Sequence, residues 1–148
     1  MIRDIILEAM IRMATKCKQL DVGDEAELKI GKFFRSKGYW AHIFGKKIAG
    51  QPVDIIAARE NDIWLVDAKH LREQKTSFDF ERIEANQRDT LGYAKHFAKI
   101  KNLGFCIYSE KFPETIFYLS YDKLIELEEK GRKSVKFEEM EDLGCILK

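Results

Sequence analysis

One stretch near the middle of the chain, Gln51 to His70, constrains the fold more than any other because it combines two apolar runs with charged residues. Val53 to Ala58 and Ile63 to Ala68 are rich in β-branched and apolar side chains, and the polar residues Arg59 to Asp62 separate them. This pattern predicts two short buried strands joined by a tight turn. Buried strands normally exclude unpaired charge, so the acids and the lysine at the ends of these runs require an explanation.

The side chains of these charged residues are expected to lie close together in the folded chain. Side chains alternate between the two faces of a strand, so Asp67 and Lys69 point the same way. If the two strands are antiparallel, Asp54 lies across from the far end of the second strand, and two carboxylates and a lysine converge. Hard divalent cations such as Mg²⁺ bind one or two carboxylates together with phosphate oxygens. The spacing therefore suits metal-assisted cleavage of phosphodiester bonds.

The same residues resemble a known family signature. Pro52-Val53-Asp54 followed by Asp67-Ala68-Lys69 is similar to the P-D-(x)n-(D/E)-x-K pattern of restriction-endonuclease-like nucleases. Three flanking segments, Gly23 to Glu27, Lys75 to Phe78 and Asn86-Gln87, resemble the RecU-type Holliday-junction resolvases of that superfamily. The similarity covers most of the chain but not the first predicted helix or the acidic tail.

This resemblance implies a structure-specific DNA endonuclease that depends on Mg²⁺, with Mn²⁺ able to substitute, and that cleaves four-way junctions. It implies that the Ala68 carbonyl adds a metal ligand and that Lys69 orients or helps to deprotonate the attacking water. The metal ligands that it implies are Glu27, Asp54, Asp67 and Ala68. The catalytic residues that it implies are Glu27, Asp54, Asp67, Lys69 and Gln87.

Two residues of this set also have structural explanations. Glu27 follows Asp24 by three residues at the start of a predicted helix, which approximates a capping box and favours the helix dipole. Gln87 falls on the inward line of a helix predicted over residues 82–102, and its side chain there would satisfy buried backbone groups. The resemblance favours a functional role for both.

The predicted order of elements indicates an α/β fold, with helices flanking a mixed central sheet. The family resemblance implies that this is a restriction-endonuclease-like sandwich. The predicted helices cover residues 2–20, 24–37 and 82–102, and a fourth short helix is expected to be capped by Ser120 or Asp122 and to end near Gly131. The predicted strands cover residues 39–44, 53–58, 63–68, 104–109 and 115–119. The segment from His70 to Glu81 is expected to cross the active-site face, and a further edge strand is expected through Val135 and Phe137. The apolar stripe of the first helix is expected to pack on the core or, as an alternative, across a dimer interface.

The net charge is only +1, but the charge is unevenly distributed. Residues 28–53 and 90–109 contain lysines and no acids, whereas acids outnumber bases from Asp122 to Asp142. A basic region beside an acidic one is compatible with a surface that binds a polyanion, although solvated lysines are the ordinary alternative. The candidate DNA-binding residues are Lys29, Lys32, Lys46, Lys47, Lys75, Arg88 and Lys95.

Length and composition favour a single packed domain. The chain has 148 residues, of which 45% are hydrophobic, and we expect one nuclease domain over residues 1–148. Within it we distinguish an N-terminal helix (1–20), a catalytic core (24–125) and an acidic C-terminal extension (126–148). We expect no membrane span and no signal peptide, hence a cytoplasmic protein that is nucleoid-associated or virus-encoded. The cysteines Cys17, Cys106 and Cys145 are expected to be reduced thiols.

Two other functions remain open from the sequence. One is a restriction- or repair-type endonuclease that acts on ordinary duplex DNA, and the other is a non-catalytic DNA-binding protein with the same fold. RecU-type enzymes have a longer projection from this part of the sheet than the predicted loop over residues 45–51. This difference bears on the prediction of junction selectivity more than on the prediction of cleavage. A homodimer is expected, since a junction has two symmetry-related strands to cut.

Overall fold

A five-stranded mixed sheet forms the centre of the protein, whose computed structural model describes residues 4–9, 25–44, 51 and 53–148. In spatial order its strands are β1 (Trp40–Ile43), β2 (Ile55–Arg59), β3 (Asp62–Leu71), β5 (Asn102–Ser109) and β6 (Ile116–Ser120). Only β3 and β5 pair in parallel, and the other neighbours are antiparallel. Strands β4 (Ser77–Asp79) and β7 (Ser134–Lys136) form a separate two-stranded sheet.

Helices cover both faces of the central sheet, which confirms the predicted α/β sandwich. Helix α1 (Glu25–Ser36) packs on one face, where Ile30 and Phe34 are buried with residues of β2 and β3. Helices α2 (Ala85–His96) and α3 (Tyr121–Glu129) contribute to the second apolar cluster, on the other face. A 3-10 helix (Phe80–Arg82) and helix α4 (Phe137–Met140) complete the described elements.

Strands β2 and β3 form the predicted antiparallel hairpin. Arg59 pairs with Asp62 across a turn in which Glu60 adopts a φ of 53°. Side chains alternate as expected, because Val66 and Ala68 are buried in the cluster that contains α1. Asp67 and Lys69 therefore face the side of the sheet on which α2 lies.

Helix α2 is shorter than predicted, and β3 is longer. The helix begins at Ala85 rather than near Arg82, and it ends at His96 because Lys99 adopts a positive φ of 59° and the chain turns into β5. The Ile100 N–H donates to the Ala94 carbonyl across this turn at 3.1 Å. The segment predicted to be an irregular crossing after His70 instead extends β3 to Leu71 and then forms β4 and the 3-10 helix.

The C-terminal segment belongs to the core, although not in the predicted way. The strand predicted through Val135 is present as β7, but it pairs with β4 in the second sheet and ends before Phe137. Phe137 starts α4 and stacks on Phe117 with ring centroids 4.8 Å apart. Burial of apolar side chains, including Met140, explains why this acidic segment folds back onto the domain.

Residues 4–9 are helical, in agreement with the predicted first helix, but their apolar side chains Ile5, Ile6 and Leu7 are exposed. The predicted packing of this helix on the core is therefore not observed for residues 4–9. The remainder of that helix, the basic loop with Lys46 and Lys47, and Pro52 lie outside the described residues. No helix in the described part of the chain is long and apolar enough to cross a membrane.

Candidate active site

Asp54 lies immediately before β2, in the row where three strands meet. Its backbone N–H donates to the Val66 carbonyl at 3.1 Å, and its carbonyl accepts from the Phe44 N–H at 2.9 Å. The buried side chain turns toward β3, where Oδ2 accepts a hydrogen bond from the Ala68 N–H at 2.8 Å. Gln51 Nε2 donates to Oδ1 at 3.3 Å. The carboxylate is thus held against the Asp67-Ala68 peptide.

Asp67, Lys69 and Gln87 form a connected polar group on the side of the sheet that faces α2. Gln87 Nε2 donates to Asp67 Oδ1 at 2.8 Å, and Lys69 Nζ donates to Gln87 Oε1 at 3.2 Å. Lys69 Nζ also lies 2.8 Å from Asp67 Oδ2. This last contact is a charge pair rather than an aligned hydrogen bond, because Oδ2 accepts no well-directed hydrogen bond among the described residues. The structure therefore brings together four of the predicted residues, namely Asp54, Asp67, Lys69 and Gln87.

Gln87 contacts both a backbone donor and Asp67, and its role at a metal site stays a prediction. Its Oε1 accepts a hydrogen bond from the Glu84 N–H at 3.0 Å, which satisfies a backbone donor at the start of α2. Its amide nitrogen simultaneously binds Asp67. The neighbouring Asn86 donates to the Gln51 carbonyl at 3.3 Å and so ties the start of α2 to the segment that precedes Asp54.

Burial and the adjacent Asp54 carboxylate raise the pKa of Asp67 to about 7, although Lys69 acts in the opposite direction. Two carboxylates held together in a water-poor site repel each other when both are ionised. A divalent cation would remove this repulsion, and the Oδ2 atom that accepts no aligned hydrogen bond is available as a ligand. The donor chemistry of the site therefore fits a hard divalent cation.

The raised pKa of Asp67 predicts how stability depends on pH in the absence of metal. Between about pH 4, near the pKa of an unfolded aspartate, and about pH 7, the folded protein binds more protons at Asp67 than the unfolded chain does. This residue therefore lowers the free energy of unfolding as the pH rises through that window. In chelator-treated protein, we expect Asp67→Asn to become progressively more stable than wild type from pH 4 to pH 7 in urea denaturation.

The exposed Asp79 provides the matched control, since Asp79→Asn should track wild type across the same range. A stability difference between Asp67→Asn and wild type that does not grow with pH would contradict the assignment.

Glu27 is buried in the first turn of α1, and its side chain is 2% exposed. Among the described residues, no three His, Cys, Asp or Glu side chains are close enough together to hold a metal ion. Glu27 is therefore not assembled with Asp54 and Asp67 into a three-carboxylate cage, and its metal-binding role stays a prediction. Asp24, the predicted helix cap, lies outside the described residues.

Comparison with known proteins decides the family. The sequence profile of the family described as Recombination protein U, RecU, matches residues 51–148, more than half of the chain. The chain belongs to the RecU family. The region that matches the RecU family contains Asp54, Asp67, Lys69 and Gln87, and it begins after Glu27.

Other comparisons are more distant than the RecU family match. No curated protein sequence matches the chain. Among solved structures, the chain is similar to the 1.6 Å structure of Hjc, a Holliday junction resolvase from the archaeal hyperthermophile Archaeoglobus fulgidus. The two share 14% sequence identity over 68% of this chain and 73% of that chain, with a TM-score of 0.48.

The predicted DNA-binding residues of this RecU-family chain fall in different environments. Lys32 and Lys75 are exposed. Arg88 forms a bidentate pair with Glu128, with nitrogen–oxygen distances of 2.6 and 3.1 Å, and Lys95 pairs with Asp122. DNA would have to compete with these acids of α3, and contact with DNA stays a prediction for all of these residues.

Lys29 belongs to a cluster that sequence reasoning did not anticipate. Its Nζ donates to the Tyr108 hydroxyl at 3.2 Å and lies 4.5 Å from the centre of that ring. The Tyr108 hydroxyl in turn donates to Glu25 at 3.3 Å. The hydrogen bond with Tyr108 raises the pKa of Lys29, so this lysine keeps its charge. Tyr108 carried no sequence signal because its partners are more than seventy residues away.

Proposed function

We propose that this protein is a divalent-metal-dependent DNA endonuclease that cleaves four-way junctions during recombination. The observation that carries the proposal is the buried group in which Asp54 and Asp67 lie side by side, with Lys69 Nζ 2.8 Å from Asp67 Oδ2. Membership of the RecU family supports a nuclease that acts on DNA. The family match over residues 51–148, which includes the acidic tail that the sequence resemblance left out, supports the choice of substrate.

Asp54 and Asp67 would hold the metal, with Mg²⁺ preferred and Mn²⁺ able to substitute. The Ala68 N–H donates to Asp54 and orients its carboxylate. The Ala68 carbonyl is proposed as a further metal ligand. Glu27 is proposed to hold the metal or its waters. When bound, the cation would neutralise the two carboxylates and stabilise negative charge on the phosphate.

Lys69 would position the attacking water and stabilise the developing charge. Its ammonium group, held between Asp67 and Gln87, is a compact donor on the same strand face as Asp67. In the proposed step the water oxygen forms a bond to phosphorus and releases a proton to solvent, the opposite phosphorus–oxygen bond breaks, and the departing oxygen takes up a proton from solvent. Gln87 would fix the positions of both side chains.

Cleavage assays on matched substrates test the proposal. A four-way junction and a linear duplex of the same sequence would be incubated with the protein in Mg²⁺, in Mn²⁺ and in chelator. We expect symmetric junction cleavage only when a divalent cation is present. Equal cleavage of the duplex would favour a restriction- or repair-type endonuclease, and junction binding without metal-dependent cleavage would favour a non-catalytic DNA-binding protein.

We also propose that the working form is a homodimer. A two-fold dimer presents two identical sites to the two symmetry-related strands of a junction, whereas one protomer carries a single site. The exposed face of the first helix, which includes Ile6, or a sheet edge would provide the apolar contact. Sedimentation should show a dimer on the junction, and a bound monomer that nicks one strand only would contradict this.

Lys46 and Lys47, in the basic loop outside the described residues, are proposed to contact phosphates. Each lost phosphate contact should reduce the slope of log affinity against log salt by about one unit. We therefore expect Lys46→Ala/Lys47→Ala to lower this slope by about two units in junction-binding titrations. Lys130→Ala, on the acidic α3 side, is the control. An unchanged slope in the double variant would remove the loop from the interface.

A further inference from the structure

The edge strand β1 carries three exposed aromatic side chains in succession. Trp40, His42 and Phe44 alternate with the buried Ala41 and Ile43, and Trp40 and Phe44 are 51% and 40% exposed. The Trp40 and His42 rings are nearly parallel, with centroids 6.1 Å apart, and His42 meets Phe44 edge-on at 4.8 Å. A row of this kind leaves contiguous apolar surface exposed to water, and exposed patches of this type mark sites that bind a ligand or a partner.

This aromatic row, Trp40, His42 and Phe44, lies on the same side of the sheet as the catalytic group. Strand pairing puts His42 beside Ile56 and Ile56 beside Leu65, and Leu65 shares its face with Asp67 and Lys69. The row also starts at the catalytic centre, because the Phe44 N–H donates to the Asp54 carbonyl at 2.9 Å. A DNA strand placed over Asp54 and Asp67 would therefore pass onto Phe44.

The electrostatic surroundings suit DNA. Strands β1, β2 and β3 direct alternate side chains to this face of the sheet. Apart from the proposed catalytic acids, none of these side chains is a carboxylate. The sequence continues from Phe44 into the loop with Lys46 and Lys47, and it contains no acid between Leu28 and Val53. DNA phosphates beside these strands would therefore meet no carboxylate other than Asp54 and Asp67, while bases would contact the aromatic rings.

We infer that Trp40, His42 and Phe44 form a stacking surface for nucleobases of the DNA strand that runs through the active site. Aromatic rings bind any base through its π-face, and this mode suits bases that are not enclosed in a continuous duplex, as at a branch point. The inference rests on the proposed function and adds the part of the substrate that the edge strand recognises. A second copy of the chain is the competing occupant, and the experiment below separates the two.

The test measures DNA affinity in the Asp67→Asn background, which prevents cleavage during the titration. The probes are single-stranded oligothymidylate, a four-way junction and a fully paired linear duplex. We expect Trp40→Leu to weaken oligothymidylate binding by about 5- to 140-fold, since stacking is worth about 1–3 kcal/mol per base. Trp40→Phe should retain most of the affinity because it keeps a π-face, and duplex binding should change by less than about 2-fold.

Two controls identify the occupant. DNA should quench the fluorescence of exposed Trp40, and the quenching should disappear in Trp40→Phe, because Trp64 packs in the core between Phe34 and Tyr118. Ile63→Ala removes a 41% exposed aliphatic side chain from the same face and should leave DNA affinity unchanged.

Specific results would overturn the inference. Oligothymidylate affinity that is equal in Trp40→Leu and the Asp67→Asn parent would do so. Dissociation of a dimer by both Trp40→Leu and Ile63→Ala, with unchanged DNA affinity per protomer, would assign the face to a second copy instead. If the parent binds none of the three DNAs, the proposed function itself fails, which is a different outcome.

Discussion

Replacing Asp67 by asparagine will abolish metal-dependent cleavage while leaving the fold and DNA binding largely intact. The substitution keeps the side-chain volume and the oxygen that accepts from Gln87 Nε2, but it removes the charge beside Asp54. Loss of metal-assisted charge stabilisation corresponds to several kcal/mol at the transition state, so we expect cleavage to fall by about 10³-fold or more. Single-turnover cleavage of a four-way junction in Mg²⁺ measures this.

The same variant separates metal binding from folding. Mg²⁺ should raise the thermal stability of wild-type protein but not that of Asp67→Asn, because a ligand that binds only the folded state stabilises it. Asp54→Asn should lose cleavage in the same way, whereas Asp79→Asn should behave as wild type. Near-normal Mg²⁺-dependent cleavage by either Asp67→Asn or Asp54→Asn would show that the proposed metal site is wrong.

Replacing Lys69 by methionine should have the second-largest effect on cleavage. Methionine keeps an unbranched apolar chain but removes the ammonium group that lies between Asp67 and Gln87. General acid–base and electrostatic assistance of this kind typically contributes about 10²- to 10⁴-fold, and we expect a loss in that range. The loss should appear in the single-turnover rate constant at saturating protein, with junction affinity changed little.

A binding measurement distinguishes a role of Lys69 in catalysis from a role in holding Asp67. Calorimetric titration with Mn²⁺ should still show metal binding in Lys69→Met, since both carboxylates remain. Lys130→Met, at an exposed lysine that pairs with Glu126, provides the control for loss of a positive charge. If Lys69→Met cleaves as fast as wild type, the lysine has no part in the chemical step. If the variant no longer binds metal, its loss of activity is explained through Asp67.

Much of the proposed catalytic arrangement follows from rules that operate over a few residues. Strand alternation alone places Asp67 and Lys69 on one face, and a tight hairpin turn brings Asp54 opposite them. The inward direction of Gln87 follows from helical periodicity in the same way. These relations are fixed by backbone geometry, so the sequence was enough to predict them.

Other features depend on contacts between residues that are distant in the sequence. Val135 had the composition of a strand, but only its pairing with Phe78 assigned it to a second sheet. Arg88 and Lys95 were candidate DNA-binding residues on the basis of their charge. In the folded chain α3 lies beside them, and they pair with Glu128 and Asp122. Local propensity does not encode which partner a surface charge will meet.

The sequence by itself determined the hairpin, the α/β class and the family signature of this protein, because these depend on periodicity and on short spacings. The tertiary structure decided three further points: the length of α2, the burial of Glu27 outside any three-carboxylate cluster of the described residues, and the exposure of Trp40 on the side of the sheet that carries Asp67. Each of these is set by how helices and edge strands pack over long sequence separations. Packing of that kind is a property of the whole chain and is not carried by any single segment.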